Sequence, residues 1–74
     1  MKRITISVLE STAEALKHLT SYANTNVETT THGRLTVPLL LGMLAEDAAM
    51  VVTRPGCWEA SNMSQVLYSH GYQV

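Results

Sequence analysis

A thiol and an imidazole can do nucleophilic chemistry together, and this chain holds Cys57 and His70 thirteen positions apart. No signature of a thiol enzyme surrounds either residue, so Cys57 reads as an inert thiol. It is the one cysteine of the chain, which rules out an internal disulfide. Glu46 and Asp47 are the nearest thing to a carboxylate pair. Adjacent residues on a helix point in different directions, so the two read as a solvated face rather than an acid–base pair. His18, His32 and His70 are widely spaced and give no ligand pair at helical spacing. His18 is placed on a helix surface beside Glu14, and His32 in a turn. The four glycines are isolated, so no phosphate loop is present. These observations predict a protein that is not an enzyme and that has no metal and no cofactor.

Recognition is the chemistry that remains. Ile4, Ile6 and Val8 alternate with Arg3, Thr5 and Ser7 at the head of the chain. Period two with β-branched apolar members predicts a strand over residues 3–8. Its apolar side would face a core or a dimer interface. Arg3, Thr5 and Ser7 would then face out together, about 7 Å apart from one to the next. Arginine bonds guanine bidentately, and hydroxyls bond bases or phosphates. Lys2 and the terminal amine add local positive charge. A two-stranded ribbon fits the major groove, so this reading needs a second strand.

The elements that must hold that strand follow at once. Residues 11–14 read Ser-Thr-Ala-Glu, a capping box in which Ser11 caps a helix and Glu14 reaches back to it. The helix is predicted from Thr12 to about Ala23. Ala15, Leu16, Leu19, Tyr22 and Ala23 form its apolar stripe. Residues 24–26, Asn-Thr-Asn, stop it. Residues 27–37 carry three consecutive threonines, which favour extended structure. They read as a hairpin of strands 27–31 and 34–37 turning at His32-Gly33. The alternative is a loop that leads to a helix capped by Thr36.

A second helix is predicted from Val37 or Pro38, since proline suits a first helical turn. It is apolar on nearly every side, with Glu46 and Asp47 as its wet face. A helix of this kind must be buried all round. In a short chain this predicts a dimer whose interface the helix fills, with Leu40, Leu44 and Val51 joining Ile4, Ile6 and Val8. The alternative is a central core helix in a compact monomer. Arg54-Pro55-Gly56 ends the helix. A third helix is predicted at about 62–70, with Asn62 as cap and Gly71 as stop. Trp58, Tyr68 and Tyr72 are assigned to closing the core or the dimer rim.

The bulk numbers bound these readings. Seventy-four residues make one domain, spanning 1–74. A monomer of that size buries only about 60% of the surface of its unfolded chain. With neither disulfide nor metal, association is the route left to stability, and a homodimer is expected. The net charge is −1, which excludes a broad positive field for nucleic acid but not a local basic patch. A lone cysteine fits a reducing cytoplasm. The first residues lack the apolar stretch of a signal peptide. The greasy run from Val37 to Val52 is interrupted by Gly42, Glu46 and Asp47 and is too short for a membrane span.

The stretch from Lys2 to Ala23, an alternating strand followed by a capped amphipathic helix, resembles the start of a ribbon-helix-helix repressor of the Arc/MetJ-like class. The resemblance implies a small α+β fold in which two chains intertwine and pair their strands as a ribbon in the major groove. It implies a transcriptional repressor bound to a DNA operator, with Arg3, Thr5 and Ser7 at the base-reading positions; the charge of Lys2 beside them would also favour DNA. It also implies a phosphate held near Thr36 by amides at the start of the second helix. Two features depart from that family. Residues 24–35 stand where a short turn is expected, and Pro38 removes one amide from the phosphate site. The residues also admit a different fold, β-α-β-β-α-α with a three-stranded antiparallel sheet. With the near-neutral charge, the threonine-rich hairpin and the aromatic tail, it fits a non-enzymatic inhibitor or adaptor of phage or mobile-element type, such as an anti-defence protein, whose target is a protein.

Overall fold

The computed structural model describes residues 1–25 and 33–74. Among the described residues it has three helices and no strand: α1 at Glu10–Ala23, α2 at Val37–Thr53 and α3 at Trp58–Ser69. The chain divides into two compact units, Met1–Val37 and Pro38–Val74. The described residues are all-α. This corrects the expected α+β fold in both its forms, the ribbon-helix-helix dimer and the three-stranded sheet.

The reason lies in what a strand is. Alternation of apolar and polar residues favours a pleated, half-buried surface, but the ladder needs a neighbour. Met1–Leu9 carries no regular secondary structure. Met1–Val8 takes part in none of the hydrogen bonds among the described residues. The pattern is present, and among the described residues no segment pairs with it. Of the expected hairpin, the arm 27–31 and the turn residue His32 lie outside the described residues. In the other arm, Arg34, Leu35 and Thr36 are not strand, and Val37 already opens α2.

In the first unit, α1 starts two residues earlier than the capping box predicts. Leu9 is its N-cap, with extended backbone at φ −63° and ψ 151°, and no side chain caps the helix. The Ala13 amide donates to the Leu9 carbonyl at 3.0 Å. Ser11 therefore sits inside the first turn, where it cannot serve as a cap. Glu10 in that turn gives the helix N-terminus a favourable negative charge. Glu14, freed from the expected box, meets Lys17 rather than His18, with Nζ–Oε1 at 3.6 Å. Both side chains are largely exposed, so the pair contributes a few tenths of a kcal/mol at most.

The apolar stripe of α1 is also displaced. Ala13 and Leu16 are half-buried and Thr20 is buried, whereas Ala15, Leu19, Tyr22 and Ala23 are exposed. Thr20 keeps only 8% of its surface exposed. Its hydroxyl donates to the Lys17 carbonyl at 3.0 Å, so this polar group is satisfied locally. Asn24 ends the helix, its amide donating to the Thr20 carbonyl at 3.0 Å.

In the second unit, Pro38 stands in the first turn of α2 as expected. No residue of α2 is fully buried within the single chain. Val37, Leu40, Leu41, Asp47, Met50 and Val51 are half-buried. Their spacing sets them along one side of the helix. Asp47 shares that side while Glu46 is exposed, so the two do not mark one wet face. The turn at Arg54-Pro55-Gly56 ends the helix as predicted. The Arg54 amide donates to Met50 at 2.9 Å, and the Cys57 amide donates to the Arg54 carbonyl at 3.1 Å. Proline holds the second place of this four-residue turn, where its fixed φ fits.

The turn delivers the chain directly into α3, four residues before the expected start. Cys57 is the N-cap, with φ −87° and ψ 163°, and the Ser61 amide donates to its carbonyl at 3.2 Å. Asn62 therefore lies inside the helix rather than capping it. Ala60 is 1% exposed, the one buried apolar side chain among the described residues. Overpacking such a site costs about 1–3 kcal/mol. Ala60→Leu is expected to lower stability by that amount, read as a lower urea midpoint with unchanged slope.

The other end of α3 stops where the sequence predicts. Gly71 has φ +89°. Its amide donates to the Tyr68 carbonyl at 2.9 Å, and the Tyr72 amide donates to the Leu67 carbonyl at 2.9 Å. This pair of bonds is the Schellman motif, which needs a left-handed residue just past the helix. An added Cβ at Gly71 would meet nothing within 4 Å, so its penalty is conformational alone. Gly71→Ala is expected to cost about 1 kcal/mol, checked by the melting temperature.

Candidate interaction surface

Cys57 and His70, which the sequence does not make a nucleophilic pair, are held apart by α3 itself. Cys57 caps its start and His70 caps its end. A helix rising 1.5 Å per residue sets them roughly 20 Å apart along its axis. The Cys57 thiol instead points to Met50, with Sγ–Sδ at 3.8 Å. The His70 amide donates to the Val66 and Leu67 carbonyls, at 3.3 and 3.1 Å. Among the described residues, no group of three or more His, Cys, Asp or Glu is placed to hold a metal ion. An open hollow lies at the turn between α2 and α3, lined by Arg54, Pro55, Gly56 and Cys57. No helix among the described residues is long and apolar enough to cross a membrane.

The predicted recognition residues stand at the head of the first unit. Lys2, Arg3, Thr5 and Ser7 are all exposed. Among the described residues, the salt bridge found is Lys17–Glu14, so neither Lys2 nor Arg3 faces an acidic partner. The alternate residues are exposed too: Ile4 at 81%, Ile6 at 62% and Val8 at 49%. These values decide that the apolar side is not folded against the chain. Leu9 and Met1 are exposed as well.

The other expected interface residues belong to the second unit. Leu40 and Val51 are half-buried on α2, and Leu44 is exposed. Thr36, the expected phosphate contact, is exposed one residue before α2 begins. Trp58, Tyr68 and Tyr72 were expected to close a core or rim, and all three are exposed in the chain itself. The Tyr68 hydroxyl donates to the Val74 carbonyl at 2.9 Å and ties the tail to the end of α3.

One well-defined polar contact was not expected from the residues. The Asn24 side chain clamps the backbone of Leu35. Its Oδ1 accepts from the Leu35 amide at 2.6 Å, and its Nδ2 donates to the Leu35 carbonyl at 2.8 Å. The amide group thus meets one residue as a neighbouring strand would. Asparagine after a helix signals a stop, but nothing in the sequence names the carbonyl it will find eleven residues later. No family model matches the chain, and no curated protein or solved structure matches it.

Proposed function

We propose that this protein is a non-enzymatic binding protein that acts by contact with other protein chains, first with a second copy of itself and then with a protein target, as an inhibitor or adaptor does. One observation carries the reading: Ile4, Ile6, Val8 and Leu9 are exposed apolar side chains on a segment whose first eight residues make no hydrogen bond within the described chain. Burying one such side chain is worth about 1.5–3 kcal/mol. A chain that leaves several of them in water has a strong drive to associate. The exposed aromatic residues Trp58, Tyr68 and Tyr72 support the same reading, since such side chains are enriched where chains meet. The test is mass in solution against concentration. It is expected to rise from 8.1 kDa toward twice that value. A mass that stays at the monomer value at the highest concentration reached removes the self-association from the proposal.

A second reading has its own support. Lys2, Arg3 and the terminal amine form an exposed basic arm, followed by the hydroxyls of Thr5 and Ser7. As a DNA-binding arm it would serve a repressor, neutralising two or three phosphates per chain. Binding to duplex DNA should then fall with salt at a slope of about −2 to −3 per chain on logarithmic axes. Arg3→Ala is expected to weaken binding and to make that slope shallower by about one. Absence of binding at low salt, or binding indifferent to Arg3→Ala, removes the DNA reading and leaves the protein-binding one standing.

A further inference from the structure

We draw no further inference here: the strongest candidate, the Cys57–Met50 sulfur pair beside the open hollow at the turn between α2 and α3, is a lone cysteine with a thioether neighbour, and nothing else at that turn points to a ligand.

Discussion

Replacing Ile4 and Ile6 together by serine is expected to leave the melting transition of the chain unchanged and to weaken its self-association about a hundredfold. The first half follows from exposure. Both side chains stand mostly in water, and their segment makes no hydrogen bond within the described chain. Surface changes away from packed features move stability by less than about 0.5 kcal/mol. The second half follows from burial in the complex. At about 1.5–3 kcal/mol for each isoleucine, the pair is worth at least about 3 kcal/mol, which is roughly two decades of affinity. Sedimentation equilibrium of the parent and the double variant reads the association. Circular dichroism melts at a concentration where both are monomeric read the fold. Loss of the melting transition without loss of association would place these side chains in the chain's own core instead.

The second large effect is expected at Asn24. Asn24→Ala removes both partners of the Leu35 backbone at once and should cost about 1–3 kcal/mol, because two half-buried polar groups lose their bonds. The Leu35 amide is the local reporter. Its hydrogen exchange should quicken about thirtyfold for a loss of about 2 kcal/mol. Asn24→Asp separates the two bonds. The carboxylate still accepts from the Leu35 amide, but it sets an oxygen against the Leu35 carbonyl where Nδ2 had donated. That variant should also destabilise, with the Leu35 amide remaining better protected than in Asn24→Ala. Equal exchange at Leu35 in the parent and in Asn24→Ala would show that the clamp does not hold this backbone in solution.

The elements differ in how far their residues announce them. The end of α3 is legible because one glycine supplies the left-handed conformation that the stop requires, and no distant contact is needed. The turn at Arg54-Pro55-Gly56 is legible for a similar reason, since proline sets φ by its own ring. The start of α1 is not. Ser11 and Glu14 satisfy the capping-box spacing, yet Leu9 takes the cap and Glu10 extends the helix backwards. Two helix starts lie close together, and spacing alone does not rank them. The start of α3 fails in the same way, because Asn62 is a good cap that the chain passes inside a helix already begun at Trp58.

The candidate site divides along the same line. That Arg3, Thr5 and Ser7 alternate with Ile4, Ile6 and Val8 is a fact of residue order. Their exposure is not, because an apolar row of this kind is as fitting for a core as for a surface. Asn24 carries the opposite lesson. Its role is a bond to Leu35 across ten intervening residues, and such a partner exists only when the chain is folded.

What the sequence by itself determined is local: three helical stretches, three stops and an alternating head. Each rests on forces that act within a few residues, such as propensity, ring constraint and the left-handed freedom of glycine. Only the tertiary structure decided which side of each helix turns inward and whether the head becomes a strand. Thr20 is buried and Tyr22 exposed because α1 packs along Ala13, Leu16 and Thr20 rather than along its most apolar stripe. The head is not a strand because β-structure is a bond between segments, and among the described residues no second segment hydrogen-bonds to it.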